Sequence, residues 1–429
     1  MQNILENEPI KTVIAALFEP GTSEAKNDHA LTELSRLVET AGGDVVGIIT
    51  QYREKHDVRT WLGEGKIEEL SNFVAVNDIA LVVFNNELSP SQIRNIEDGI
   101  NCRVFDRSML ILEIFSLHAH THEGRLQVEM AQLKYTLPRL TGKGIELSRL
   151  GGGGGMGARR GKGETLLELS RRKARSRILF LQRELTDLQR RRNEQRSLRE
   201  RSLIRKVAVI GYTNAGKSTL IKAMTGADTR SADQLFTTLE PLTRRLVLKN
   251  GGELLLTDTV GFISDLPHRL IEAFSSTLEE VSYADLLLHV VDASDPDCEN
   301  QRKVCEELVA ELGAAQIPTV IALNKWDLCI SNERPLISDA LVISAKTGAG
   351  VDALVDHIAE VLASSDRITD LLLPYDQGGL VQSLYQFGQV LTSEYRDDGI
   401  YLRVRCSERV LGKAAAYRLT GRIATQNSI

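Results

Sequence analysis

The segment GYTNAGKST at residues 211–219 has the spacing GxxxxGK[ST], in which each fixed residue has a chemical task. Gly211 and Gly216 let the backbone curl so that successive N–H groups point at phosphate oxygens. Lys217 places a cation on the β- and γ-phosphates, and Ser218 offers a hydroxyl to Mg²⁺. We therefore predict a site for a nucleoside triphosphate and Mg²⁺. The predicted nucleotide contacts are Gly211, Tyr212, Thr213, Asn214, Ala215, Gly216, Lys217, Ser218 and Thr219.

A second motif, LLLTDTVGF at 254–262, is an apolar strand that ends in an acid. Asp258 is predicted to hold Mg²⁺ through water, and the amide of Gly261 is predicted to contact the γ-phosphate. Phe262 stands where Ras-like enzymes carry a glutamine that orients water. A phenyl ring cannot position water, so we expect slow unaided hydrolysis and a partner that completes the site.

The segment DQLFTTLEPLTRR at 233–245 precedes this strand and supplies the remaining metal ligand. Thr238 is the candidate that completes Mg²⁺ coordination when the γ-phosphate is present, and the adjacent Thr237 is its competitor. The predicted metal ligands are Ser218, Thr238 and Asp258. The predicted catalytic groups are Lys217, Gly261, Thr238 and Asn214. For Asn214 two interpretations stay open: its amide oxygen holds K⁺ near the phosphates, or its role is structural.

The base-recognition motif is NKWD, which ends the apolar strand in TVIALNKWD at 319–327. The carboxylate of Asp327 accepts hydrogen bonds from N1–H and the exocyclic amine of guanine, a pattern that adenine lacks. Asn324 and Lys325 are predicted to brace the ring and the phosphate loop. The segment VISAKTG at 342–348 is predicted to close over guanine with Ser344, Ala345 and Lys346. Four such elements in order, each at a strand end, predict a GTP-binding domain.

The surrounding pattern predicts a multidomain α/β chain. Short apolar runs alternate with amphipathic segments up to residue 106, which indicates a small parallel sheet. We predict an N-terminal parallel α/β domain at 1–106, a helical hairpin at 107–203, a Ras-like P-loop GTPase domain at 204–370 and a small C-terminal α/β domain at 371–429.

The hairpin is predicted from two apolar stripes with alternating spacings of three and four. The first helix is predicted to run continuously over about 107–138, and the second from about Glu164 to 201. The stripes are Leu126, Met130, Leu133 and Leu137 on the first helix, and Ala174, Ile178, Leu181, Leu185 and Leu188 on the second. Two striped helices joined by a loop predict an antiparallel pair.

The predicted loop at 139–163 contains five consecutive glycines and several basic residues. Residues 139–206 carry 20 Lys and Arg against 7 Asp and Glu, although the chain as a whole has a net charge of −6. This concentration of positive charge favours a polyanionic partner. A flexible linker at 139–163 and a solvated helix end at 190–205 are the alternatives.

Bulk composition narrows the class of protein. The chain is 42% hydrophobic and has five cysteines without a CxxC pair, which is typical of reduced thiols in a cytoplasmic protein. No apolar run approaches the roughly 18 residues of a membrane span, and the first residues lack the pattern of a signal peptide. We expect a cytoplasmic monomer that does not bind membrane.

The sequence closely resembles the HflX family of ribosome-associated GTPases. Beyond the GTPase motifs, the resemblance is carried by THEGRLQVEMAQLKYTLPRL (121–140), LSRLGGGGGMG (147–157), GKGET (161–165), LFTTLEP (235–241) and DTVGFISDLPHRLIEAFSSTLEE (258–280). It covers about 120–365 well and the ends of the chain more loosely. The loop departs from the family pattern, since GARRGKGET is more basic and lacks a proline.

The resemblance implies a factor that binds the large ribosomal subunit and its rRNA, with the hairpin directed toward the peptidyl transferase centre. It implies GTP-driven separation of stalled or idle ribosomes into subunits, with hydrolysis stimulated by the ribosome. The alternative is a GTP-gated regulator of ribosome assembly or RNA binding without splitting activity. A basic hairpin that binds anionic membrane is a third reading, disfavoured because its basic end has few aromatic residues.

Overall fold

The structure is a computed structural model that describes residues 9–140, 159–199, 204–226, 242–249, 252–259, 261–262, 281–329, 337–364 and 366–419. The chain divides into two compact units. Of the described residues, the first contains 9–140, 159–192 and 261–262, and the second contains 193–199, 204–226, 242–249, 252–259, 281–329, 337–364 and 366–419. The predicted multidomain α/β class with parallel sheets is confirmed.

A four-stranded parallel sheet organises the beginning of the first unit, in the order β2-β1-β3-β4. Helices cross between consecutive strands because parallel strands cannot be joined by a tight turn. The elements are β1 (Ile10–Phe18), α1 (Glu24–Thr40), β2 (Gly43–Tyr52), α2 (Glu64–Asn77), β3 (Leu81–Phe84), α3 (Pro90–Ile100) and β4 (Arg103–Asp106). Alternating strand residues and α2 and α3 enclose one apolar core.

The continuous helix predicted over 107–138 is wrong. The structure has two helices, α4 (Arg107–His118) and α5 (His122–Thr136), followed by a 3₁₀ turn at Leu137–Leu140. Ala119 is extended, and the hydroxyl of Thr121 accepts a hydrogen bond from the Gly124 amide at 3.0 Å. A threonine that caps a new helix competes with continuation of the old one, so the helix ends and restarts there.

The second hairpin helix, α6 (Arg159–Arg199), is 41 residues long and begins before the predicted Glu164. Its length corresponds to about 60 Å. Part of each predicted stripe forms one apolar cluster, made of Leu126, Met130, Leu133, Leu181, Leu185 and Leu188. Arg177 on α6 donates two hydrogen bonds, of 2.7 and 2.8 Å, to the carboxylate of Glu129 on α5. An ion pair therefore also joins the two helices. The loop residues 141–158, including the five glycines, lie outside the described residues.

A buried carboxylate, Asp106, ties the end of α5 to the N-terminal sheet. Its oxygens accept from the Met109 amide (2.9 Å), the Leu88 amide (3.3 Å), the Arg139 guanidinium (3.0 Å) and the Tyr135 hydroxyl. Burial raises the pKa of Asp106, although Arg139 and the two amides oppose the rise. Arg139 also lies over the Tyr135 ring, 3.5 Å from its centre. Tyr135 and Arg139, which lie just before the glycine-rich segment, are therefore anchored to the N-terminal sheet through Asp106.

Replacing Tyr135 with phenylalanine removes one donor to Asp106 and leaves the ring in place. We expect the first turn of α4 to open more easily by about 1 kcal/mol, because a charged acceptor loses a buried hydrogen bond. Amide hydrogen exchange of peptides containing Leu88 and Met109 should accelerate about fivefold. Tyr52→Phe is the control, since Tyr52 is 54% exposed. Equal protection in both variants would show that the hydroxyl contributes nothing to the anchor.

A six-stranded sheet forms the centre of the second unit, in the order β10-β9-β8-β5-β7-β6. Only β6 is antiparallel to its neighbour. The elements are β5 (Arg205–Gly211), α7 (Lys217–Thr225), β6 (Leu242–Val247), β7 (Glu253–Asp258), β8 (Leu286–Asp292), α8 (Cys298–Glu311), β9 (Thr319–Asn324), β10 (Leu341–Val342) and α9 (Val351–Ser364). The parallel strands place Gly211, Asp258, Asp292 and Asn324 at one edge, where α/β sheets bind ligands.

The end of the second unit is a three-stranded antiparallel sheet in the order β11-β13-β12. Its elements are β11 (Arg367–Leu373), α10 (Gly378–Phe387), β12 (Gln389–Arg396), β13 (Gly399–Cys406) and α11 (Glu408–Lys413). One sheet face and the two helices share a core around Leu371, Leu402 and Val404. Across the described residues of both units, no helix is long and apolar enough to cross a membrane.

Candidate nucleotide-binding site

The phosphate loop begins where β5 ends, and close packing requires glycine there. Gly211 has φ +149°, and an added Cβ would lie 2.2 Å from the carbonyl oxygen of Val290 on β8. Only glycine adopts this conformation without strain and accepts so close a backbone approach. The main chain of β8 therefore presses against the first residue of the loop.

Gly216 is the second glycine that the loop requires. Its φ is +91°, and an added Cβ would lie 2.3 Å from Nδ2 of Asn324. That amide donates to the Ala215 carbonyl at 2.8 Å, and Oδ1 of Asn324 accepts from the Ala345 amide at 2.9 Å. Asn324 therefore joins the phosphate loop to the segment predicted to close over the base.

Lys217 lies inside the loop that it was predicted to serve. Its Nζ donates to the Gly211 carbonyl at 3.0 Å and the Tyr212 carbonyl at 2.8 Å. Burial lowers the pKa of Lys217, and the nearby Asp258 carboxylate opposes that shift. The loop thus holds a cation close to its own curled backbone, where a phosphate group would receive both the charge and the N–H groups.

The chemistry of Ser218 and Asp258 fits a magnesium ion. Oγ of Ser218 donates to Oδ2 of Asp258 at 2.7 Å, and Asp258 is 3% exposed. Hydroxyl and carboxylate oxygens are the hard ligands that Mg²⁺ prefers, so Ser218 and Asp258 are the described residues that would hold it. Among the described residues no group of three or more His, Cys, Asp or Glu side chains forms a metal site by itself. Thr238 and its competitor Thr237 lie outside the described residues.

The base-recognition residues follow β9. Lys325 has φ +59°, and its Nζ lies 2.7 Å from Oδ2 of Asp292. Asp327 lies in a 3₁₀ turn at Trp326–Leu328, and its side chain is exposed. Asp327 can therefore offer its carboxylate oxygens to a planar donor pair.

The loop after β10 stands beside this turn. The Trp326 amide donates to the Ile343 carbonyl at 3.2 Å. Ser344 is buried and its Oγ accepts from the Thr347 amide at 3.2 Å, while Lys346 is exposed. These contacts support the prediction that Ser344, Ala345 and Lys346 border the base.

Asn214 is exposed and has φ +60°. Asparagine tolerates this left-handed conformation better than most residues, which gives the residue a backbone role. The same placement leaves its amide accessible. Gly261 is described and lies three residues after Asp258, and the adjacent Phe262 is 1% exposed. The prediction that Phe262 leaves the attacking water without an orienting side chain stays a prediction.

Sequence reasoning missed Asp292, Thr259, His289 on β8 and Cys305 on α8. Asp292 ends the apolar strand LLLHVVD, the same signal that identified Asp258. Thr259 donates to the Val209 carbonyl at 2.7 Å. Burial lowers the pKa of His289 to about 4, and burial raises the pKa of Cys305 to about 12, so both are neutral at pH 7.

Four family models match the chain. They are the GTP-binding GTPase N-terminal region at 28–116, the GTP-binding GTPase middle region at 118–199, the 50S ribosome-binding GTPase at 206–325 and the HflX C-terminal domain at 333–425. GTPase HflX of Caldanaerobacter subterraneus subsp. tengcongensis is 46% identical over 385 residues, which cover 89% of this chain and 88% of that protein. The chain belongs to the HflX family of GTPases.

Other HflX relatives agree over nearly the whole chain. GTPase HflX of Escherichia coli is 39% identical over 390 residues, covering 89% of this chain and 91% of that protein. A solved structure titled as an SsGBP and GDP complex is 25% identical, covers 83% of this chain and 99% of that chain, and has a TM-score of 0.48. The predicted family is confirmed, and the chain is a GTP-binding, GTP-hydrolysing P-loop enzyme.

Proposed function

We propose that this GTPase binds the large ribosomal subunit through its rRNA and uses GTP to separate stalled or idle ribosomes into subunits. One observation carries the proposal: residues 206–325, which match the family model of a 50S ribosome-binding GTPase, follow in the sequence a long helix rich in exposed basic side chains. The described exposed basic side chains of α6 are Arg172, Lys173, Arg175, Arg177, Arg183, Arg190 and Arg191.

The charge on α6 suits a folded RNA better than a neutral surface. Among the same described positions, only Glu168 and Asp187 are exposed acids. Arginine pairs with phosphate in a bidentate fashion, and binding of this kind releases counterions and weakens steeply with salt. The glycine-rich segment at 151–155 would let the backbone pass close to the RNA.

Within the nucleotide site, the residues divide into two tasks. Lys217 and the loop amides hold the β- and γ-phosphates, while Asp327, Asn324 and the 344–346 segment hold guanine. Ser218 and Thr238, with Asp258 acting through water, would hold Mg²⁺, which would supply positive charge beside the phosphates. With Phe262 buried, this chain leaves the orientation of water to its partner. Ribosome-stimulated hydrolysis follows from that arrangement.

The proposal is tested by adding the protein and GTP to intact ribosomes and resolving particles on a sucrose gradient. Splitting activity gives free subunits with GTP and none with GDP. A variant lacking residues 151–155 should retain GDP affinity and lose both attachment and splitting. GTP-dependent attachment without free subunits would instead support the assembly regulator.

Flotation with anionic liposomes tests whether the basic hairpin binds membrane. Light scattering during gel filtration tests whether the protein is a monomer, as expected.

Asn214 gives a separate prediction about a monovalent cation. If its amide oxygen holds K⁺ beside the phosphates, hydrolysis should run about tenfold faster in KCl than in NaCl, since a fixed positive charge stabilises the transition state. Asn214→Gly keeps the left-handed backbone and removes the amide, so it should lose potassium stimulation while binding GDP normally. Equal rates in the two salts would leave Asn214 only its backbone role.

A further inference from the structure

A cavity of about 480 Å³ lies in the second unit, where the GTPase sheet meets the C-terminal domain. Its walls come from β7 with residues that flank β6 and β7, the end of α9, the end of α10 with the start of β12, and Arg405 on β13. This volume is in the range of small-molecule sites, which form preferentially at domain boundaries. Arg205 lines it, and Arg205 begins β5 while Gly211 ends that strand. The cavity is thus about 20 Å from the phosphate loop along β5.

The apolar part of the wall is built by both domains. Leu254 and Leu362 belong to the core of the six-stranded sheet, and Phe387 packs against the core of the three-stranded sheet. Tyr385 lies at the same wall with its side chain 55% exposed. A flat organic body would pack against this apolar and aromatic part of the wall and keep one side open to solvent.

All but one of the charged side chains in the cavity wall form an ion pair. The guanidinium of Arg205 bonds to the Leu362 carbonyl and the Asp366 carboxylate. Glu253 is paired with Arg245. Arg405 is half-buried and, within the described part of the chain, has neither an ion pair nor a side-chain hydrogen bond. The cavity therefore carries one uncompensated positive charge.

The strand pattern separates Arg405 from the domain core. Val404 and Cys406, its neighbours on β13, are buried in the core, so Arg405 lies on the opposite sheet face. Its cross-strand partner on β12 is Gln389, which also lines the cavity. A guanidinium beside an amide offers several N–H donors to one anionic group.

We propose that this cavity binds a small organic anion, with a flat apolar body between the two domains and a carboxylate, sulfonate or phosphate on Arg405. The site is separate from the nucleotide site, and its existence does not depend on the ribosomal function. Because both domains contribute to the wall, an occupant stabilises their docked arrangement by contacts that neither domain provides alone.

The test uses two fluorescent probes on the full chain saturated with GDP. One is 8-anilinonaphthalene-1-sulfonate, and the other is N-phenyl-1-naphthylamine, which has the same rings without the sulfonate. Arg405→Gln should weaken binding of the sulfonate about tenfold and leave the neutral probe unchanged, since only the ion pair is lost. Arg403→Gln is the matched control on β13, where Arg403 faces Asp370 at 3.8 Å. It should alter neither probe.

A second variant tests the volume of the cavity. Ala363→Trp places an indole against its wall and should abolish binding of both probes, while GDP affinity confirms that the GTPase domain is folded. The proposal is overturned if Arg405→Gln binds the sulfonate like the unaltered protein, or if Arg403→Gln weakens it equally. It is also overturned if the GDP-saturated chain binds neither probe.

Discussion

Asp327→Asn is expected to weaken GDP binding about 1,000-fold and to make the protein bind xanthine nucleotides instead. In the proposed site the carboxylate would accept from two guanine N–H groups, and a site built to hydrogen-bond a ligand discriminates strongly when a partner is lost. The asparagine amide would instead donate to the carbonyl that xanthine carries at the position of the guanine amine. Titrations with fluorescent GDP and xanthosine diphosphate analogues measure both changes.

The exposed Asp327 side chain makes this substitution well suited to the question, because it should not disturb the core. Asp352→Asn is the control, since it removes the same charge from an exposed position in the first turn of α9. It should leave both affinities unchanged. Retained GDP affinity in Asp327→Asn would place the guanine recognition elsewhere.

Gly216→Ala is expected to weaken GDP and GTP binding at least about 100-fold. The new methyl group would meet Asn324, whose amide holds both Ala215 and Ala345. Displacing Asn324 breaks two buried hydrogen bonds, each worth about 1.5 kcal/mol, and separates the phosphate loop from the base loop. Equilibrium titration with a fluorescent GDP analogue gives the affinity.

Gly226→Ala is the matched control for backbone strain. Gly226 ends the same helix α7 with φ +66°, and nothing lies within 4 Å of an added Cβ. Both substitutions force alanine into the left-handed region, at about 1–2 kcal/mol. The midpoint temperature of thermal unfolding should therefore fall in both variants, whereas nucleotide affinity should fall only in Gly216→Ala. Equal affinities would mean that Asn324 does not hold the loop.

Much of the nucleotide site was predictable because its residues follow one another closely. A buried strand, a curled loop and a helix follow one another in the chain. The spacing of Gly211, Gly216 and Lys217 therefore predicts the local backbone geometry. The placement of Asp258 beside Ser218 also follows from its position at the end of an apolar strand. Where a function is carried by a continuous segment, the sequence alone predicts it.

Contacts between distant segments were not predictable from spacing. Asn324 and Ala215 are 109 positions apart, and Asp106 and Tyr135 are 29 apart. The helix predicted over 107–138 failed for a related reason. The sequence over 107–138 was interpreted as one helix, but Thr121 caps a new helix through the Gly124 amide, and this cap forms only because the backbone is extended at Ala119 and Thr121.

For this protein the sequence by itself determined the GTP-binding motifs, the α/β class, the basic hairpin and the HflX family. Each of these depends on residue type and short-range order. The tertiary structure alone decided that Asn324 links two loops, that Asp292 pairs with Lys325, and that Arg405 faces a cavity between domains. These features arise where segments far apart in the chain are packed together, and burial then fixes which polar groups must find partners.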